Sequence, residues 1–256
     1  MPLICSRTTA VFVYIGESTV TSSSTLMAIA TYDDDGIDPL RLAPVREGLL
    51  ELWSRRYFSR VWVLQEVALA RKFELICGDT MIPWRYIGRD SLARLGVFGM
   101  AWQIPIPPVL HFDHRVFTQP DRFLDLLHFA SSDCGAHDPR DMVYSLLGLV
   151  IGSQVQGLEA DYSLSVDQVY VNTTLSLGRH FGWRLVFQHA LARRPRIPNL
   201  PSWAPDWSAP RSSSKLPTTR PLEDTVAITD PLRVELRELV YSALRVFTRS
   251  ETSWPV

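Results

Sequence analysis

The chain has 256 residues and a mass of 29.1 kDa, enough for one large domain or two small ones around a substantial core. Hydrophobic residues make up 46% and charged residues 21%, which argues against wholesale disorder, collagen-like repeats and a coiled coil. Lys and Arg total 26 against 27 Asp and Glu, so the basic excess of a phosphate-binding protein is missing and nucleic acid is a poor first guess for the partner.

Cys5, Cys77 and Cys134 are odd in number and far apart, with no CxxC and no Cys/His spacing suited to zinc. A reduced, cytoplasmic compartment is the simplest reading. No apolar stretch reaches the ~18 residues of a membrane span. The run from Ala10 to Ile15 is too short for a signal peptide and is expected as a buried strand closed by Gly16.

In chain order, a short helix is expected over Thr25 to Tyr32, after the polar lead-in Glu17 to Ser24. The loop Asp33-Asp34-Asp35-Gly36 lacks the alternating ligands and closing Glu of a calcium loop. Val45 to Trp53 reads as a helix. Ser59 to Arg71 is the clearest helix, with Ser59 as N-cap and apolar residues nearly all round, so it should be buried. Phe73 to Cys77 reads as a strand. Strand, helices, strand is the order of a parallel α/β sheet with crossover helices.

Beyond it, helices are expected over Ile82 to Met100, over Asp121 to Ala130, and from the N-cap Asp138 with Pro139 at the first position. Ile104 to Pro108 must be extended. Ser165 and Gln168 form a capping box that opens a helix to about Gly178. Trp183 to Leu191 fits a helix or a strand. From Pro195 the chain turns proline- and serine-rich with little periodicity, and Pro231 to Phe247 regains helical spacing.

Glu66 is the residue that asks for an explanation. It lies within the most apolar helix, with Trp62 four residues earlier on the same face. A carboxylate there must be paired, line a cleft or change its proton affinity. Two readings stand: an ion pair with Arg55, Arg56, Arg60 or Arg71, or a group that acts on a ligand. Other candidates have bland accounts. His111 and His114 form H-x-x-H without a third ligand. Arg140 and Asp141 suit a helix cap and a local ion pair. Trp203 and Trp207 suit a core edge or an aromatic platform. Cys77, with modest basic charge nearby, suits a buried structural thiol.

The run from Arg56 through Trp62, Gln65 and Glu66 to Ala70 resembles the signature of the fungal heterokaryon incompatibility (HET) domain, roughly R-x-W-F-x-R-x-W-x-x-Q-E, with Tyr57 where the family usually has Trp. Met1 to Glu17 resembles the segment ending in V-W-L-G, and Asp138 to Leu149 resembles the D-P-R-D-K-V-Y-A-L-L-G-L run. Ala160-Asp161-Tyr162 and Pro201 to Trp207 also fit the region downstream. The S-Y-x-W-G and W-I-D-x-x-C-I-N-Q segments that begin the domain do not occur. The expectation is therefore a HET domain shortened at its N-terminus, by a late gene start or by decay.

HET domains resemble TIR domains, some of which hydrolyse NAD with the glutamate of W-x-x-x-E. Trp62 and Glu66 have that spacing. The resemblance implies a flavodoxin-like parallel-sheet remnant over 1–80, a mainly helical HET-associated region over 81–208, and a low-complexity linker with a terminal helix over 209–256. It implies Glu66 as catalytic candidate and Trp62 as substrate-binding candidate. NAD would be a substrate, with no permanently bound cofactor and no metal. It implies a cytoplasmic role in self/non-self recognition and programmed cell death, with protein partners or self-association because a sheet lacking its first strands exposes an edge. The alternative is a non-catalytic interaction module or an inactive copy, and the chain alone is expected not to cleave NAD.

Overall fold

The computed structural model describes residues 7–31, 39–88, 105–112, 122–150 and 157–209, with the backbone alone for 39–42 and 111. It divides into two compact units: Met1–Phe117 with Asp133–Gly135, and Thr118–Ser132 with Ala136–Val256.

The first unit is built on three strands in the order β1-β2-β3: β1 Val11–Tyr14, β2 Phe73–Cys77 and β3 Thr80–Pro83. β1 and β2 are parallel, with Val11 beside Phe73 and Tyr14 beside Ile76. The crossover between them holds α1 Val20–Ala30, α2 Pro39–Trp53, a 3-10 turn Arg56–Ser59 and α3 Trp62–Leu69. The expected α/β class therefore holds, but the sheet is mixed. β3 runs antiparallel to β2, with Cys77 opposite Thr80 across the two-residue turn Gly78-Asp79. Gly78 sits at φ +54°, and a Cβ there would come within 2.4 Å of Ser18 Oγ, so glycine is required on both counts. The helix expected from Ile82 is replaced by β3 and the short α4 Trp84–Ile87, and residues 89–104 lie outside the described residues.

One face of the sheet carries Val13, Leu75, Cys77 and Ile82, all buried. α1 packs on β3 and on α2, and contributes the buried Leu26 and Ile29. α1 begins five residues earlier than the expected Thr25, because Thr19 caps it: its hydroxyl accepts the Ser22 amide at 3.0 Å while Ser22 Oγ accepts the Thr19 amide at 2.8 Å. α2 likewise begins at Pro39 rather than Val45 and carries Pro44 inside it. α1 and α2 touch at Gly48, where a Cβ would stand 1.9 Å from Thr25 Oγ1.

α3 is shorter than the expected Ser59–Arg71, and Ser59 does not cap it. Its N-cap is Val61, and Ser59 Oγ instead bonds the Arg56 carbonyl at 3.0 Å. Gly135 fixes the entry to α3 by pairing in parallel with Arg60: the Gly135 amide donates to Ser59 O at 2.7 Å and the Val61 amide to Gly135 O at 3.0 Å. Of the stretch expected to be extended, 105–107 has no regular secondary structure, but Pro108 opens the short helix α5, Pro108–His111, because a proline at the first helical position loses no hydrogen bond.

The second unit is helical among the described residues: α6 Phe123–Asp133, whose last residue joins the first unit, α7 Asp141–Leu147, α8 Val166–Phe181 and α9 Trp183–Leu191. The Ser165/Gln168 capping box forms as expected. Asp138 caps a turn ahead of α7 by accepting the Arg140 amide at 3.0 Å, and α7 proper starts at Asp141. After α9 the chain is irregular to residue 209, as the composition suggests, and the linker and helix expected beyond it lie outside the described residues. The loop nonetheless packs: Trp203 and Trp207 are fully buried, and Asp206 accepts hydrogen bonds from the amides of Arg196, Ile197, Ser208 and Ala209 and from the Ser208 hydroxyl.

Candidate functional site

The C-terminal ends of β1 and β2 are tied together by Arg55, which precedes the 3-10 turn. Its Nη1 donates to Ile15 O at 3.1 Å and lies 3.2 Å from Cys77 Sγ, while its Nη2 donates to Glu17 O at 2.8 Å and pairs with Glu51 at 3.3 Å. Cys77 is buried as expected, but the guanidinium against its sulfur is far more than modest basic charge.

Arg55 is thus committed away from Glu66. None of the ion pairs among the described residues involves Glu66. Glu66 is half-buried on α3, and Trp62, one turn earlier, is half-buried as well. The carboxylate is held by a neutral donor: Tyr57 Oη donates to Glu66 Oε2 at 2.8 Å across the 3-10 turn. Tyr57 in turn meets Phe58 edge to face, with ring centroids 5.6 Å apart. A carboxylate oriented by a single phenol keeps acceptor capacity on its second oxygen.

Between Trp62 and Glu66 the helix carries Gln65, which sequence reasoning did not single out. It is 1% exposed, and neither its amide nitrogen nor its amide oxygen has a hydrogen-bond partner among the described residues. Leaving a buried amide unanswered costs about 1–3 kcal/mol. At 100° per residue Gln65 and Glu66 fall to either side of Trp62, about 100° apart around the helix. The structure thus brings Trp62, Glu66, Gln65 and Tyr57 onto one short segment.

The remaining candidates fall outside it. Arg140 pairs with Asp138 at 2.7 Å and donates to the carbonyls of Tyr162 and Leu164 at 2.7 and 2.9 Å, so it joins α7 to the turn before α8. The side-chain hydrogen bond from Arg140 holds the Asp138 carboxyl below its ordinary range. Asp141 accepts the Tyr162 hydroxyl at 2.6 Å. Trp203 and Trp207 are core, not a platform. Burial pushes the Cys134 thiol up to about 12, so it stays protonated at neutral pH. The His111 side chain and His114 lie outside the described residues, as do Cys5 and the Asp33–Gly36 loop. Among the described residues no group of three or more His, Cys, Asp or Glu could hold a metal, and no helix is long and apolar enough to cross a membrane.

Heterokaryon incompatibility protein 6, OR allele, of Neurospora crassa is 26% identical to the chain over 202 residues, covering 64% of this chain and 30% of that protein. The chain resembles a fungal heterokaryon incompatibility protein. It spans less than a third of that relative's length. No family model matches the chain, and no solved structure does.

Proposed function

We propose that this heterokaryon-incompatibility-like chain acts in fungal self/non-self recognition and programmed cell death, and that Glu66 is the acid of an NAD glycohydrolase centre completed in the longer protein. The observation that carries the reading is a half-buried carboxylate beside an indole, held by a tyrosine hydroxyl instead of an arginine. Hydrolysis breaks the bond between nicotinamide and the ribose C1′. Water supplies the new C1′ oxygen, nicotinamide leaves with the bonding electrons, and a proton is released. Positive charge develops at the ribose, and a carboxylate beside it stabilises that charge or holds the ribose hydroxyls. Trp62 walls the sugar. Glu66 alone does not orient a dinucleotide, so the purified chain is expected to release no nicotinamide, whereas the complete reading frame lowers cellular NAD and kills hyphae.

The test expresses that reading frame in hyphae with Glu66 intact or as Glu66→Gln. Loss of both NAD depletion and death in Glu66→Gln, with protein level unchanged, supports the reading. Death with NAD unchanged removes the glycohydrolase step and leaves the incompatibility role.

A further inference from the structure

The bond between Tyr57 and Glu66 uses one proton and leaves acceptors behind. Tyr57 Oη gives its hydrogen to Glu66 Oε2 at 2.8 Å. The carboxylate then has Oε1 to offer, and the phenol oxygen, its proton committed, can only accept. Tyr57, Trp62 and Glu66 are all half-buried, so a ligand can reach each of them. The phenol ring is steadied by its edge-to-face contact with Phe58, which is 2% exposed.

This arrangement selects one kind of ligand group. No ion pair among the described residues reaches Glu66, so a phosphate or carboxylate set against it would meet uncompensated negative charge. A group that only accepts finds no donor in the pair, because the one O–H is taken. A lone hydroxyl answers one acceptor and leaves the other unanswered. Two hydroxyls on neighbouring carbons answer both, one proton each, while the Trp62 indole covers the apolar side of the ring that bears them.

We propose that Tyr57 is a substrate-binding residue for the ribose: one ribose hydroxyl donates to Glu66 Oε1 and its neighbour donates to Tyr57 Oη, while the same phenol fixes the carboxylate. The inference rests on the glycohydrolase reading above and adds a second point of contact to it. Tryptophan, usual at this place in the motif the chain resembles, could donate its indole N–H to Glu66 but has no lone pair with which to receive a hydroxyl. The diol contact is therefore a property of the tyrosine. It also limits which part of a dinucleotide sits here, since the pyrophosphate is turned away by the acid that takes the sugar.

The test measures nicotinamide release by the full-length protein from NAD and from two analogues, lacking either the 2′- or the 3′-hydroxyl of the nicotinamide ribose. The unchanged protein is compared with Tyr57→Phe, Tyr57→Trp and Glu66→Gln. Each Tyr57 variant should lower kcat/KM for NAD at least about tenfold, but for one of the two analogues by less than about twofold, because the hydroxyl that Tyr57 receives is already gone. A structural role for Tyr57 would slow all three substrates by one common factor, since loss of folded protein is blind to the substrate; ratios between substrates thus remain readable even where a variant is less stable. A common factor on all three substrates overturns the proposal, as does an unchanged rate on NAD. If Glu66→Gln abolishes release while either of those results holds, the diol contact falls and the glycohydrolase reading stands. If the unchanged full-length protein releases no nicotinamide, that reading falls and the diol contact falls with it.

Discussion

Tyr57 stands where the motif the chain resembles usually has tryptophan, and its hydroxyl makes the 2.8 Å bond to Glu66. Tyr57→Phe deletes that donor, so we expect a loss of about 1 kcal/mol in urea unfolding, small because the carboxylate is half-solvated. Gln65 predicts the opposite sign. Replacing it by methionine keeps shape and volume while removing two buried polar atoms that have no partner. Gln65→Met should raise the urea midpoint with an unchanged slope, a gain of about 1 kcal/mol in unfolding free energy, and a fall would show that the amide is answered in solution. Part of this site is legible from spacing alone, since Trp62 and Glu66 share a face on any helix. The Tyr57 bond is not, because it crosses from a 3-10 turn into α3. The solitude of Gln65 is a tertiary property and has no sequence signal beyond a polar residue in a greasy run.

At the level of elements, the contact between α1 and α2 is set by Gly48. A methyl group there collides with Thr25 Oγ1 and Cβ at 1.9 and 2.6 Å and meets Thr21 O at 3.0 Å. Gly48→Ala should therefore destabilise the first unit by about 1–3 kcal/mol, the overpacking range, despite alanine's better helix propensity. Thermal melts of the two proteins check this. Strand β2 and the Ser165 helix are readable because an apolar run and a capping box are local signals. α1 is harder, since its box closes with Ser22 in place of Glu or Gln, and a Ser/Thr run looks like a linker. β3 hides for another reason. Met81-Ile82-Pro83-Trp84 has no clear period, and the Gly78-Asp79 turn between Cys77 and Thr80 is the only hairpin cue it offers. The compositional reading of the chain after Pro195 sees irregularity correctly but cannot see that the loop buries two tryptophans.

For the molecule as a whole, pH acts through carboxylates held in the second unit. Asp138 has its proton affinity lowered chiefly by the Arg140 hydrogen bond, and Asp161 chiefly by the Ser163 hydroxyl. Both therefore protonate later in the folded chain than in the unfolded one. Their stabilisation is complete above the unfolded carboxylate range, about pH 4, and is lost as pH falls through the lower folded values. Acid titration by circular dichroism should show the second unit losing stability below about pH 4. Asp138→Asn should lower stability at neutral pH and flatten the acid limb, and an acid limb as steep as in the unchanged chain would show that other groups set it.

Asp206 has a consequence for how freely this polypeptide can drift. Its two oxygens grip four main-chain amides and one hydroxyl, so what it recognises at Arg196, Ile197 and Ala209 is the peptide bond and not the side chain. Arg196 and Ile197, which are not buried, tolerate nearly any amino acid except proline, which has nothing to offer the grip, whereas Ala209 is fully buried and admits only a small side chain. The aspartate has no such latitude: asparagine would turn an NH₂ toward donors, and glutamate would overshoot by a methylene. Divergent copies of this loop should therefore scramble their alphabet at the open positions and keep the one acid, the indoles beside it and the buried alanines Ala204 and Ala209.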